Sequence, residues 1–544
     1  MSPRSGAGDN AVQMVTMPTP EEFTALQQAL AEALKKNESL SGELRVTRTE
    51  RDLLKEQLSK FKRQLFAASS EASEQQKDLF FNEAESLGAQ AEPAVEETDD
   101  DKIDVPGHKR AKRGRKPLDP ALPREVMRHE LPESERVCPH DGATLREIGV
   151  EASEQLDIVP QQVRVIRHER VKYACPCCDG TLCLAPRPAQ VIPKGLFTEN
   201  ALAWIATSKY LDGLPLYRQA ALLGRFGGTD ISRNTVAGSI VRVGHAVQPL
   251  VNLLRDELLD APLVFGDETE LQVLKEPGRN AQAKSYIWAQ MTDDSGKDGT
   301  GPPIRLFTYA PSRSTKTALE LYAGIRQDTV LMTDGYDVYD TVAETHGLVH
   351  LGCWTHCRRY FLEALQALPK DNRGPDQLAA RFIALIGRLY HVEAQAKRDA
   401  VDTAELGRRR QQESVPVLAE IEALLLANVH AVLPKSLLGQ ALHYLASQWS
   451  KLKRYVEDGL YSIDNNAQEN AIRPFCVGRR NWLFADTVAG ANASANLYSL
   501  LQTCQVNGID GYRYLRALFV ALPKARTVDD YAQLLPWRIE LTAA

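Results

Sequence analysis

No run of apolar residues in this chain of 544 approaches the roughly 18 needed to cross a bilayer. A helical membrane protein is therefore excluded. No apolar signal core follows Arg4, so secretion is not expected. Cysteine is scarce: there are nine, too few for a disulfide scaffold in so long a chain, and five of them fall between Cys138 and Cys183. Such clustering points to metal binding in a reducing compartment, and the cytoplasm is the natural reading. Excess positive charge is also missing, since the formal net charge is −6. That figure averages opposed blocks. Glu92 to Asp104 is strongly acidic, whereas Lys109 to Lys116 carries six positive charges and no negative one. Phosphate affinity follows local charge, so the sum does not exclude a nucleic-acid partner. What remains is ordinary, with 25% charged and 43% apolar residues, at a length that implies several domains rather than one core.

The first third carries modules for association and DNA contact. Residues 21–66 hold two interleaved heptad seams: Leu26, Ala33, Leu40, Thr47, Leu54, Phe61, and Leu30, Asn37, Leu44, Arg51, Leu58, Leu65. Their spacing predicts a coiled coil and a homodimer or higher homo-oligomer, with Asn37 able to fix register. A single amphipathic helix packed on its own chain is the alternative. Residues 67–108 lose this period and predict an acidic disordered linker. The basic segment 109–118 contains Arg113-Gly-Arg-Lys-Pro117, which resembles an AT-hook. There Arg113, Arg115 and Lys116 would enter the minor groove of A·T-rich DNA, unless the stretch is a solvated linker.

Cys138-Pro-His-Asp141 and Cys175-Pro-Cys-Cys178 bracket the alternating apolar residues Val163, Val165, Val171 and Tyr173. This predicts a zinc-ribbon-like module over 138–187, a β-ribbon pinned by a structural Zn²⁺ on Cys138, Asp141, Cys175 and Cys178. The first knuckle is imperfect, and His140 could stand in for Asp141, or the site could be empty. Residues 195–250 read as a helix-turn-helix, with Ser232 as an N-cap and Arg233, Asn234 and Thr235 offered to base edges. A purely structural helical bundle is the alternative.

From Pro262 the pattern changes to short β-rich runs. The strand candidates are 263–265, 285–291, 304–309, 329–333 and 348–351, with helices at about 316–326 and 336–345. Three strands followed by alternating helices and strands predict a mixed sheet with helices on its faces, the ribonuclease H-like arrangement. In it Asp267 closes the first strand, Asp334 closes the fourth, and the two ends lie side by side. Residues 358–455 read as an all-helical insertion. Beyond it, Asp464-Asn-Asn-Ala-Gln-Glu469 reads as the start of a helix. The core thus spans 260–357 and 456–503, with a C-terminal domain at 504–544. The fold class is multidomain α+β.

Two strand-end aspartates and a helical glutamate can hold a pair of Mg²⁺ ions, with Mn²⁺ able to substitute, against a phosphodiester. Asp267, Asp334 and Glu469 are the predicted catalytic and metal-binding residues. Glu268 points to the opposite face of an extended strand, and Asp464 suits a cap. Arg473, four residues after Glu469, shares its helical face and could touch the scissile phosphate or orient the glutamate. Arg479, Arg480 and Trp482 suggest backbone contact and base stacking, or a packed Trp. The Cys353-Trp-Thr-His356 element reads as structural or DNA-ordering rather than as a metal site.

Taken together these stretches resemble the transposases of the insertion sequence sixty-six family, bacterial DDE enzymes. The resemblance rests on Gly114-Arg-Lys-Pro-Leu, Glu154-Gln-Leu-Asp-Ile-Val-Pro, Leu214-Pro-Leu-Tyr-Arg-Gln, Asp267-Glu-Thr, Asp334-Gly-Tyr, Gly352-Cys-Trp-Thr-His, Asp464-Asn-Asn-Ala-Gln-Glu469-Asn-Ala-Ile-Arg-Pro and Gly478-Arg-Arg-Asn-Trp-Leu-Phe. It implies a triad of Asp267, Asp334 and Glu469, a helical insertion, and movement of double-stranded DNA bounded by terminal inverted repeats into a target. It also implies companion proteins encoded by the same element, and association with the nucleoid when bound to DNA. Asp141 departs from the family's commoner cysteine. The competing expectations are a transposase-derived DNA-binding protein that no longer cuts, and another ribonuclease H-like nuclease.

Overall fold

The structure, a computed structural model, describes residues 20–66, 102–105, 108–111, 163–174, 182–184, 186, 188–227, 230–292 and 301–541. The heptad segment is one helix, α1 (Pro20–Phe66). Its seam residues Leu30, Leu40, Leu44, Leu54 and Leu58 are all more than half exposed. Among the described residues nothing covers these five leucines.

Two short hairpins follow. Strands β1 (Lys102–Val105) and β2 (His108–Ala111) pair antiparallel, with Asp104 opposite Lys109. The end of the expected disordered linker and the start of the basic segment are thus paired strands. Strands β3 (Lys172–Ala174) and β4 (Leu182–Leu184) form the second hairpin. Residues 163–171 are extended and exposed but pair with nothing among the described residues, Val165 being 91% exposed. The described residues of this stretch thus show no ribbon between the two cysteine pairs. Alternation alone does not make a strand where there is no core to alternate against. The hairpin instead flanks Cys175 and Cys178. Those two, with Cys138, His140, Asp141, Arg113, Arg115 and Lys116, lie outside the described residues.

Helices α2 (Glu199–Tyr210), α3 (Leu216–Gly227), α4 (Arg233–Ala246) and α5 (Gln248–Leu259) come next. Ser232 caps α4 as expected, its hydroxyl accepting from Thr235 N–H at 3.2 Å. These helices are not a separate domain. Their inner faces belong to the same core as the sheet and the C-terminal helices. Gly244 of α4 shows how close the packing is, since a Cβ there would stand 2.4 Å from the Ala493 Cβ.

The central sheet is mixed. Its strands are β5 (Leu263–Lys275), β6 (Lys284–Met291), β7 (Arg305–Ala310), β8 (Val330–Met332) and β9 (Val349–Leu351), in the order β7-β6-β5-β8-β9. The first three run antiparallel and β5, β8 and β9 run parallel. Helix α6 (Thr315–Leu321) precedes β8, and α7 (Val338–His346) lies between β8 and β9. One expectation is corrected here: Asp267 does not close a strand. Thr269, Leu271 and Val273 extend the alternation, and β5 stays paired with β6 as far as Gln272.

The insertion contains α8 (Trp354–Ala367), α9 (Leu378–Arg398), α10 (Thr403–Arg409), a π turn, α11 (Val415–Asn428) and α12 (Leu437–Leu452). It has a core of its own around Phe361, Phe382, Ile386 and Leu445. At the π turn the buried Arg410 pairs with Glu393 at 2.8 Å and donates to the carbonyls of Tyr455 and Asp458.

The chain then returns to the sheet with α13 (Asn466–Trp482), β10 (Ala485–Thr487), α14 (Val488–Val506), α15 (Gly511–Ala521) and α16 (Val528–Ala532). Strand β10 pairs with the far end of β5. Helix α14 covers edge strand β7: Ser499 and Thr503 accept from the N–H groups of Phe307 and Arg305 at 2.8 and 3.1 Å. One helical turn spans two strand residues, so the hydroxyls substitute for a neighbouring strand. Because α14 runs unbroken from Val488 to Val506, no domain boundary falls at residue 504. No helix among the described residues is long and apolar enough to cross a membrane.

Candidate active site

Strand register brings the two aspartates together. Phe265 pairs with Met332 in the parallel β5–β8 ladder. Asp267 and Asp334 each stand two residues further on, at the same level of adjacent chains. Asp334 then turns the backbone, its Oδ1 accepting from Tyr336 N–H at 3.0 Å. Alternation sends the side chain of Asp267 to the face where α13 lies. That helix is fixed by Asn465 Nδ2 donating to the Gly266 carbonyl at 3.2 Å and by Gln468 Nε2 donating to the Ala289 carbonyl at 2.9 Å. Glu469, in its first turn, is thereby delivered to the aspartates. The anions crowd one another: burial first, then Asp334, Glu268 and Glu469, push the Asp267 carboxyl well above the usual range. Asp267 Oδ1 accepts the Glu268 N–H at 2.8 Å.

Helix α8 presents one imidazole and one guanidinium to the glutamate. His356 Nδ1 is 3.7 Å from Glu469 Oε1, and Arg359 Nη2 is 3.8 Å from Oε2. Burial, with Arg359 beside it, holds His356 down at about 4, so the imidazole is neutral near pH 7. Cys353, at the start of α8, accepts from Asn465 N–H at 3.3 Å through its buried sulfur, and Trp354 N–H donates to the Ile463 carbonyl at 3.2 Å. The Cys353–His356 element thus orders the segment that carries Glu469. Asp464 accepts from Tyr390 at 2.8 Å, from Thr355 at 3.0 Å and from Asn466 N–H at 3.1 Å. It ties the insertion to α13 as well as turning the chain into that helix.

On the other face of β5, Glu268 accepts from Tyr339 OH at 2.7 Å and pairs with Arg313 at 3.1 Å. Arg313 in turn stacks on the ring of Tyr336, 3.9 Å from its centroid. Burial and Asp334 still push Glu268 up to about 7. Behind Asp334 a chain of contacts runs from Thr333 Oγ1 to His350 Nε2 at 2.8 Å, from His350 Nδ1 to Asp340 at 3.0 Å, and from Asp340 to Lys451 of α12 at 2.6 Å.

The remaining sequence-derived candidates separate. Arg473 lies half-buried on α13. Arg479 donates to Thr269 Oγ1 at 3.1 Å and to the Glu270 carbonyl, so it holds α13 to β5. Trp482 packs edge-on against Phe475, 5.6 Å between centroids, with Lys209 over its ring, so the packed alternative holds and not base stacking. Arg480 is exposed, as are Arg233, Asn234 and Thr235 at the start of α4. Arg359 escaped the sequence reading, although it stands three residues after His356 on one helical face. Tyr444 left no local signal at all.

Among the described residues no three of His, Cys, Asp and Glu are already drawn together closely enough to hold a metal ion. The donor set nevertheless suits hard divalent cations, because the Asp267 carboxyl, pushed up by burial and by the acids beside it, would be relieved by a cation among them.

Comparison with known proteins finds four matching family models. The model described as Transposase IS66 family matches residues 194–493. Three more match in part: zinc-finger binding domain of transposase IS66 over 135–179, Transposase C of IS166 homeodomain over 53–127, and IS66 C-terminal element over 499–537. Among curated proteins, the uncharacterized protein y4qI of Sinorhizobium fredii is 33% identical over 441 residues, 78% of this chain and 79% of its own length. The uncharacterized proteins y4jD and y4hP of the same organism are 31% and 26% identical, covering 76% and 79% of this chain and 81% and 78% of their own lengths.

Proposed function

The chain belongs to the Transposase IS66 family, and from that premise we propose that it is a DDE transposase that cuts and joins double-stranded DNA. In this reading the mixed sheet is a ribonuclease H-like core. Its support is the strand order, three antiparallel strands followed by two parallel ones. The observation that carries the proposal is the meeting of Asp267, Asp334 and Glu469 from three distant elements in one buried cluster.

Asp267, Asp334 and Glu469 would hold two Mg²⁺ ions. Bound there, such ions supply a nucleophile at neutral pH and stabilise the attacking and leaving oxygens of an in-line displacement. The protein's own side chains position and exclude. His356 and Arg359 hold Glu469 in place from α8, and Arg473 orients it or reaches the phosphate. Arg480 and the exposed start of α4, with Arg233, Asn234 and Thr235, contact DNA, as do Arg113, Arg115 and Lys116. A structural Zn²⁺ on Cys138, Cys175, Cys178 and Asp141 or His140 accounts for the zinc-finger match. The uncovered leucines of α1 suit pairing with a second copy.

The test offers mini-transposon ends and a target plasmid to the purified protein with Mg²⁺. Nicking at the ends and strand transfer are expected, both abolished by EDTA and by Asp267→Ala. Strand transfer unchanged in Asp267→Ala would overturn the assignment. DNA binding without any cleavage would identify a binding protein that has lost the chemistry.

A further inference from the structure

We propose that Tyr444, contributed by the helical insertion, is a catalytic residue whose hydroxyl donates a hydrogen bond to a non-bridging oxygen of the DNA phosphate bound beside Asp334. The inference rests on the transposase reading and extends it to a residue 110 positions beyond the second aspartate.

The starting observation is the glycine after Asp334. Gly335 has no left-handed backbone to explain it; what it lacks is room. A Cβ there would stand 2.7 Å from Tyr444 Cε2 and 2.9 Å from its hydroxyl oxygen. The ring of Tyr444 therefore lies directly over the turn that carries Asp334. Its outer side is stacked by Tyr360 of α8, with centroids 4.5 Å apart and planes 26° apart. The hydroxyl is buried and has no hydrogen-bond partner in the structure. A buried tyrosine O–H in a native protein ordinarily finds an acceptor. Here the missing acceptor adjoins the carboxylate cluster where a phosphate would dock. Burial chiefly raises the hydroxyl's pKa, so it is a donor and not a base.

Tyr444 does not sit on a loose arm. Lys451, seven residues or two helical turns later on the same face, pairs with Asp340 of α7 at 2.6 Å. Leu452 packs against Gly352 at the end of β9, and its carbonyl accepts from Trp354 Nε1 at 2.9 Å. Helix α12 is thus fastened to the sheet beyond β8 and β9, and Tyr444 is held at a fixed height over Asp334. A donor so held acts where negative charge develops on the phosphoryl oxygens.

The test is single-turnover cleavage of end DNA by the full chain and by Tyr444→Phe, Tyr444→Ala, Gly335→Ala and the double variant. Tyr444→Phe keeps the ring. It is expected to bind ends within about threefold of the parent and to cleave about tenfold or more slowly. Gly335→Ala pushes the ring away and is expected to slow cleavage similarly, but to add nothing in the Tyr444→Ala background. Substrates with sulfur at one or the other non-bridging position of the scissile phosphate separate chemistry from structure. One diastereomer should slow the parent by more than it slows Tyr444→Phe. Equal cleavage by parent and Tyr444→Phe overturns the inference, and so does a slower Tyr444→Phe with identical sulfur effects, which is a structural role. A parent that binds ends but never cleaves them defeats the transposase reading, and this inference falls with it.

Discussion

Asp267 and Glu268 are neighbours in the chain and both are buried acids, yet β5 sends them to different fates. Glu268 meets a tyrosine hydroxyl and an arginine, is answered on both oxygens, and settles near neutrality. Asp267 meets Asp334 and Glu469 and pairs with no cation among the described residues, and its carboxyl is pushed well above the usual range. The Glu268 face is an aromatic wall of Trp288, Tyr322, Tyr336 and Tyr339. The Asp267 face is closed by α13 and its polar anchors. The difference teaches that position along a strand decides little and the facing layer decides much. One face completes its acid, and the other crowds its acids so that a proton or a cation from solution relieves them.

The largest expected effect tests that contrast directly. Asp267→Asn should lower the rate of strand cleavage by about a thousandfold or more, as removal of a metal-holding carboxylate does. Glu268→Gln should change it by less than about tenfold. The same Asp267→Asn should raise the thermal midpoint by about 2 °C or more, because it removes a buried like-charge conflict. Equal losses of activity in the two variants, measured at saturating Mg²⁺, would erase the distinction between the faces.

Gly266→Ala comes next. Its Cβ would stand 2.3 Å from the Tyr322 hydroxyl on the aromatic face. Overpacking of this kind costs about 1–3 kcal/mol, readable in urea unfolding. A neutral result would mean that the aromatic wall yields easily and is no rigid backing for β5. On the Asp267 side, Ser499→Ala removes the hydroxyl that accepts from Phe307 N–H at the sheet edge, at a cost of about 1 kcal/mol.

The smallest effect is confined to acid. His350 and Lys451 hold Asp340 down at about 2, below its ordinary 3.8. Between those values the folded state binds fewer protons than the unfolded one. The stability from this pair is therefore full above about pH 4 and is lost as pH falls toward 2. Asp340→Asn should flatten that limb of the stability profile and leave the neutral region with only a uniform decrease. A limb unchanged in the variant would mean that the link from α12 to the Asp334 loop carries no stability.

Much of this was legible in the residues. The helix of α1, the Ser232 cap, five strands and the helical insertion all follow from periodicity and turn chemistry, which are local. The failures have physical causes. The length of β5 was misread because Asp267-Glu-Thr looks like a turn, and only pairing with β6 and β10 keeps the chain extended there. Val163 to Val171 alternate but have nothing to pack on among the described residues. Arg479 and Trp482 looked available for DNA, yet α13 turns them onto β5 and Phe475.

By itself, then, the chain settled which segments coil, extend or turn, because those properties depend on neighbours a few positions away. Three-dimensional packing decided the rest. It merged the α2–α5 helices with the sheet and C-terminal helices in one core. It set α12 over Gly335, and it gave Asp267 no counter-ion while Glu268 received one. Those outcomes turn on which layers meet, and contacts between residues a hundred or two hundred positions apart exist only once separate cores have closed.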